Sequence, residues 1–272
     1  MADGKRTELP EPDAIRRYYD SHMREVGGEY IARRWQATEA QRRHYRQTRS
    51  VLDALLALHP LGEVLEIGCG PGVWTELLVG RASRATLVDI SAEMLAKARE
   101  RIAEWDEGRF ASLVSYHNGD FLETPVGTST FDTILSMRAF EYVTDKRTFV
   151  QRCFAALRPG GRLLLGTKNG EWYDAIRARR AGRDPAAERA FQAAMQSDLV
   201  TSTQLRQMLA DAGFRDVTVF PLVFGSYHRP LRSKPGLLLC DFLHRMLRRR
   251  PMGRLWSPLA ESVIAVGRRR SE

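Results

Sequence analysis

Lysine is scarce: Lys5, Lys97, Lys146, Lys168 and Lys234 are the only five among 42 basic residues, and arginine supplies the rest. Cysteine is scarcer still, with Cys69, Cys153 and Cys240 scattered as an odd set without metal-ligand spacing. That excludes a disulfide framework or a cysteine-rich zinc site, and it fits a reducing, cytoplasmic setting. No apolar run approaches the length of a membrane span. The opening Met1-Ala2-Asp3-Gly4-Lys5-Arg6 is polar and has no signal-peptide core behind it. Internal repeats and low-complexity tracts are also missing. The formal charge of +9 is spread over arginine pairs such as Arg16-Arg17 and Arg33-Arg34, with denser runs at Arg248-Arg249-Arg250 and Arg268-Arg269-Arg270. A solvated surface accounts for most of this charge; an anionic partner, lipid or nucleic acid, is the sharper alternative.

What is present begins with Val64-Leu65-Glu66-Ile67-Gly68-Cys69-Gly70-Pro71-Gly72. A short apolar strand meets an acid, and three glycines follow at every second position. Glycine reaches positive φ and has no Cβ, so this backbone can turn tightly and lie against a ligand. No Gly-Lys-Ser/Thr follows, which excludes a P-loop, and the glycine spacing is not that of the dinucleotide fingerprint. Val73 to Val79 reads as the start of a helix, which would present its N-terminus to the bound group. A plain strand–turn–helix connection is the competing reading of this stretch.

The next two strands also end in acids. Thr86-Leu87-Val88-Asp89 closes 21 residues after Gly68, where nucleotide-binding α/β folds hold ribose hydroxyls. Val114 to Asp120 closes on a carboxylate followed by the aromatic Phe121. One carboxylate for a ribose and a second beside an aromatic ring suit an adenosine.

With Phe131-Asp132-Thr133-Ile134-Leu135-Ser136 and Leu157-Arg158-Pro159-Gly160-Gly161-Arg162 in order behind them, these motifs resemble the class I S-adenosylmethionine-dependent methyltransferases over residues 50 to 170. The resemblance implies S-adenosyl-L-methionine as cofactor and S-adenosyl-L-homocysteine as product. It places Glu66, Gly68, Cys69, Gly70 and Gly72 around the methionine end, Asp89 on the ribose, Ile90 against the adenine, and Asp120 with Phe121 completing that site, with Met94 also among the cofactor-binding residues. Ser136, Met137 and Arg138 would border the sulfonium, and Tyr18 and Tyr19 would close the pocket from the first helix.

Alternating strands and helices imply a doubly wound α/β fold. Strands are expected at 64–67, 86–89, 113–116, 131–136 and 162–167, with helices around 91–105 and 145–157. Thr201 to Ala212 reads as a further helix. In this family the last two strands, Val217 to Val223 and Ser262 to Val266, pair as an antiparallel hairpin, giving a seven-stranded mixed sheet. Residues 1–60 form a lead and helical cap, with Thr38 and Gln41 as a capping box. Residues 61–272 form the methyltransferase domain, carrying insertions at 170–200 and 224–260. Both insertions leave from the ligand-bearing sheet edge, so both are expected to roof the pocket.

Methyl transfer needs a line of nucleophile, methyl and sulfur, plus a base when the acceptor must lose a proton. His228, just past strand six, and His22, beside Tyr18 and Tyr19, are the catalytic candidates. His44 falls on an arginine-rich polar face. Phe140-Glu141-Tyr142-Val143 resembles the quinone-biosynthesis and natural-product enzymes, except that Tyr142 stands where those commonly have histidine. The Asp/Asn/Ser-Pro-Pro-aromatic motif of nucleic-acid amino-methyltransferases is missing, which disfavours nucleic acid as substrate. The expected acceptor is a small or lipid-like molecule; an RNA methyltransferase and a non-catalytic cofactor-binding partner protein are the alternatives. Leu238, Leu239, Phe242, Leu243 and Met246 form one apolar face of a helix at 237–250, read as a packed lid or as a peripheral membrane contact on anionic lipid.

Overall fold

The computed structural model describes residues 11–172, 198–224, 234–247 and 259–271. Seven strands form one sheet: β1 (Gly62–Ile67), β2 (Ala82–Asp89), β3 (Val114–Asn118), β4 (Phe131–Met137), β5 (Leu157–Lys168), β6 (Arg215–Phe224) and β7 (Ala260–Arg268). Their spatial order is β3-β2-β1-β4-β5-β7-β6. The first five are parallel, and β7 runs antiparallel between β5 and β6. The central strands read as continuous apolar runs because both faces of the sheet are covered. Val64, Leu65, Ile134, Leu135, Leu163 and Leu165 are all fully buried.

Six described helices follow the sequence signals closely. They are α1 (Pro12–Val26), α2 (Glu39–Leu56), α3 (Ala92–Ala103), α4 (Lys146–Ala156), α5 (Ser202–Asp211) and α6 (Lys234–Leu247). Thr38 and Thr201 each open their helix with a full capping box, while Ser91 and Asp145 cap α3 and α4. Each such cap contributes about 1 kcal/mol. Leu52 and Leu56 of α2 and Ile102 of α3 join one core cluster; Phe149 and Val150 of α4 join another with Leu205 and Leu209 of α5. Full burial of each of these side chains stabilises the fold by about 1.5–3 kcal/mol. Between α1 and α2 the chain takes a short 3₁₀ turn at Gly27–Glu29 and a π-helical turn at Ala32–Gln36.

Several expectations need correction. Val73 to Val79 does not start an α-helix: it contains a single 3₁₀ turn at Thr75–Leu78 and stops at Gly80, whose φ is +70°. The β-branched Val73, Thr75 and Val79 lower helix propensity there, and nothing caps the turn. His44 is not on a polar face but almost fully buried. On α6 the expected packed face is turned outward, with Leu238, Leu239, Phe242 and Met246 exposed. The helix is instead held through buried Cys240 and His244 and through Asp241, which receives a two-pronged contact from Arg43 at 3.0 and 2.5 Å and a third from Gln47 at 3.1 Å. Most of the 170–200 insertion, His228 and Arg248–Arg250 lie outside the described residues.

Candidate functional site

The carboxyl ends of β1, β2 and β4 open onto one cavity, as chain reversal in the sheet between β1 and β4 requires. Its floor is the loop after β1. Gly68 and Gly70 hold φ values of +68° and +54°, a region that L side chains rarely enter. Gly68 donates its N–H to the Val88 carbonyl at 2.7 Å, and a Cβ at this position would collide with the Ala139 side chain. Gly70 differs: a Cβ there would meet no protein atom within 4 Å, because the position faces the open cavity. Arg101 of α3 clamps the same loop by donating to the Pro71 carbonyl at 2.6 Å.

Asp89 ends β2 and ties the surroundings together. Its two carboxylate oxygens accept the Gly70 N–H at 2.7 Å and the Ser91 N–H at 2.9 Å. A carboxylate offers about four lone-pair sites, so two remain for a ligand. Burial pushes the Asp89 carboxyl up to about 6, against the two backbone N–H groups that favour its charged form. Behind it, the Ser91 hydroxyl donates to Asp20 of α1 at 2.5 Å, which fixes the cap onto the start of α3. Ile90 and Met94 extend this wall, and Gly119, Asp120 and Phe121 close it beyond β3. The Asp120 side chain accepts the Leu122 N–H at 2.9 Å, which shapes the turn after β3.

The opposite wall follows β4. Met137, Arg138, Ala139 and Tyr142 line it. Arg138 adopts φ +66°, and its N–H donates to Gly166 at 2.8 Å. Its Nε donates to Glu141 at 2.9 Å; the Lys168 Nζ lies 3.9 Å from the same Glu141 oxygen. Burial alone would raise Glu141, but Arg138 and Lys168 outweigh it and hold the carboxyl below its ordinary range. Burial lowers Lys168 to about 8, and it lowers His44 well below the usual imidazole value, helped by Arg138 and Arg34. The cap closes the top through Pro12, Ile15 and Tyr19 of α1 and through Tyr30, Arg34 and Trp35. Tyr19 meets Tyr142 edge-on at 5.6 Å between ring centroids, and burial raises both phenols.

Of the residues expected from sequence, Tyr19, Gly68, Cys69, Gly70, Asp89, Ile90, Met94, Asp120, Phe121, Met137 and Arg138 come together on this cavity. Five others stand off it. Glu66 is buried within β1, accepting the Thr75 hydroxyl at 2.7 Å, and burial raises it to about 8. Gly72 packs towards α3, and Ser136 is buried in β4. Tyr18 and His22 stack on each other, 6.0 Å apart, outside the lining. The described part of the 224–260 insertion does not roof the cavity either, since α6 lies on β6 and contributes nothing to the lining. Among the described residues the roof is the segment between Pro12 and Trp35. Tyr30, Arg34, Trp35 and Trp74 were missed by sequence reasoning; the aromatic and arginine residues clustered after Gly27-Gly28 were the available signal.

Comparison with known proteins agrees with this geometry. A family described as "Methyltransferase domain" matches residues 64–161. A probable S-adenosylmethionine-dependent methyltransferase of Mycobacterium tuberculosis is 27% identical over 205 residues, covering 75% of this chain and 66% of that protein. Trans-aconitate 2-methyltransferase of Rhodopseudomonas palustris is 33% identical over 185 residues, covering 66% and 65%. These matches therefore span just under two thirds of each relative's length. Among solved structures, Haemonchus contortus phosphoethanolamine N-methyltransferase 2, in complex with phosphomonomethylethanolamine and S-adenosylhomocysteine, superposes with a TM-score of 0.56 at 19% identity, covering 83% of this chain and 53% of that one.

Proposed function

The chain belongs to the class I S-adenosylmethionine-dependent methyltransferases, and from that premise we propose that it transfers a methyl group to a small-molecule acceptor held under the cap. One observation carries the reading: Asp89, buried and still equipped with two lone-pair sites, faces the same cavity as the open Gly70 position. The residues fit the cofactor. A vicinal diol matches the remaining acceptor sites of Asp89, and a purine matches the apolar Ile90, Met94 and Phe121 beside Asp120. When bound, S-adenosylmethionine supplies an electrophilic methyl group on its sulfonium.

The chain's own residues then do five things. Asp89 accepts the ribose hydroxyls, and Gly70 leaves room for the methionine backbone. Met137 borders the reacting centre. Tyr19 and Tyr142, whose raised pKa keeps them protonated, donate hydrogen bonds rather than take protons. Ile15, Tyr30 and Trp35 exclude water. No histidine lines the cavity among the described residues, which disfavours His22 as a general base; His228 lies outside those residues.

A small acceptor is favoured by the cap over the cavity and by relatives whose names specify trans-aconitate and phosphoethanolamine. The test is transfer from S-[methyl-³H]adenosylmethionine to a small-molecule panel and, separately, to total RNA. Labelled small molecules with unlabelled RNA are expected. Labelled RNA would reverse the acceptor class. Cofactor binding with no transfer to either would leave a non-catalytic binding protein.

A further inference from the structure

Adjacent residues of α1 reach opposite sides of the cavity. Tyr19 lines it and meets Tyr142 on the β4 side, edge-on at 5.6 Å. Asp20 stays off the lining and turns to the β2 side, where its carboxylate accepts the Ser91 hydroxyl at 2.5 Å. The Glu93 N–H lies 3.5 Å from the same oxygen. Ser91 is fully buried and holds two further bonds. Its hydroxyl oxygen accepts the Met94 N–H at 3.2 Å, and its own N–H donates to Asp89 at 2.9 Å. One serine thus stands between the acid that faces the cavity from β2 and an acid of the roof.

Capping alone does not account for Asp20. An N-cap hydroxyl acts by accepting an N–H of the first turn, and Ser91 does this towards Met94. The hydroxyl proton remains, and in a buried setting it needs an acceptor of its own. Asp20 provides a charged oxygen, which makes the bond short and strong. A second contact between the two helices, Arg24 to Glu93 at 3.3 Å, joins side chains that are 61% and 42% exposed, so it contributes little. Beyond Val26, α1 gives way to Gly27-Gly28. An added Cβ at Gly28 would meet only the Lys97 Nζ, at 3.9 Å, so packing does not demand glycine there. Two small residues at the end of a helix suit a hinge.

We propose that Asp20 is a positioning residue that latches α1 over the cavity, so that the cofactor enters and leaves only when the Asp20–Ser91 bond opens. The proposal rests on the methyl-transfer reading, which places S-adenosylmethionine beneath α1. Neither Asp20 nor Ser91 lines the cavity, so the bond forms without help from the cofactor and opposes entry as much as exit. Breaking it therefore changes the rates in both directions and leaves affinity nearly unchanged. Damage to the Asp89 site would do otherwise: release would quicken, entry would not, and affinity would fall.

The experiment follows S-adenosylhomocysteine binding by stopped-flow tryptophan fluorescence, since Trp35 and Trp74 line the cavity. Asp20→Ala should raise the association and dissociation rate constants together, each about ten-fold or more, with Kd within about three-fold of wild type. Ser91→Ala breaks the same bond from α3 and should act alike. Adding Asp20→Ala to it should then change the rates by less than about two-fold. Asp20→Asn keeps an acceptor oxygen and should lie between Asp20→Ala and wild type. Arg24→Ala should leave both rates within about two-fold. If circular dichroism shows that Asp20→Ala does not fold, Ser91→Ala and Asp20→Asn decide. Unchanged rates in Asp20→Ala overturn the proposal. So does faster release without faster entry, which would make Asp20 a support of the Asp89 site. An equal effect of Arg24→Ala overturns it too, because the attachment of α1 would then not depend on Asp20. Failure of the wild-type protein to bind S-adenosylhomocysteine at all would strike the methyltransferase reading instead.

Discussion

Asp89 accepts the backbone N–H of Gly70 at 2.7 Å, which ties the tip of β2 to the glycine loop of β1. One carboxylate thereby shapes the loop and presents its remaining lone pairs to the cavity. Replacing it should remove both effects. Asp89→Ala is expected to weaken S-adenosylhomocysteine binding by about 1.5–3 kcal/mol, the scale of a lost charge-assisted hydrogen bond. Acid should have a related effect in the wild type. Burial raises Asp89 from 3.8 to about 6 in the free protein, so affinity should fall as pH drops through that value and an acceptor becomes protonated. The stability contribution of this group runs the other way. The folded state holds the proton more tightly than the unfolded chain, so the contribution is full below 3.8 and is lost as pH rises through about 6. Calorimetry against pH checks this; a pH-independent affinity would separate Asp89 from the ligand.

Gly70 and Gly68 look alike in sequence but should fail differently. At Gly70 nothing of the protein lies within 4 Å of an added Cβ, so Gly70→Val intrudes on ligand space and suffers only the local strain of φ +54°. That strain is about 1–2 kcal/mol, so the variant should fold and lose S-adenosylhomocysteine binding. Gly68→Ala drives its new methyl into Ala139 and adds packing strain to the backbone term, so its melting temperature should drop further. A folded Gly70→Val variant with normal affinity would show that the loop does not touch the cofactor.

The strand ends were legible because they combine three local signals: apolar runs, terminal acids and glycine turns. Asp89 and the Gly68–Gly70 loop emerge from such signals alone, and the parallel, doubly wound character of the sheet follows from alternation, though its strand order does not. Long-range packing left no comparable trace. His44 looked polar beside Arg42, Arg43 and Arg46, yet α2 turns it inward against Trp35 and Arg138. The α6 face was misread because five apolar residues outweighed Cys240 and His244 in the pattern, whereas Arg43 on α2 decides which side packs. Arg34 and Trp35 were hidden because a π-helical turn has no simple sequence period.

His22 provides a direct check on whether the first helix supplies a general base. It stacks on Tyr18 and meets Tyr30 edge-on at 5.6 Å, but it does not line the cavity. His22→Ala should therefore lower kcat by less than about ten-fold, where loss of a general base would remove roughly 10²–10⁴. The lost ring contacts should instead appear as a stability decrease of about 0.5–1.5 kcal/mol. A hundred-fold loss of kcat, accompanied by a missing limb in its pH profile, would return the base to the first helix.

The orientation of α6 makes two adjacent residues behave in opposite ways. Asp241 is the counter-charge of Arg43, whose side chain is only 11% exposed, and it also receives the Gln47 amide at 3.1 Å. Removing it strands a largely buried guanidinium. Asp241→Ala should destabilise the protein by about 1–3 kcal/mol, towards the lower end because Asp241 itself is a third exposed. Arg43→Met in the same background should recover part of the loss, since the unpaired charge goes with it. Phe242, one position further, is 53% exposed. Phe242→Ala should stay within about 0.5 kcal/mol of wild type and leave acceptor KM unchanged, as expected of a surface position away from the cavity. A lid packed on the pocket would give the reverse ranking: a costly Phe242→Ala with raised acceptor KM and a tolerated Asp241→Ala. Urea denaturation of the two single variants, read beside their acceptor KM, separates the arrangements.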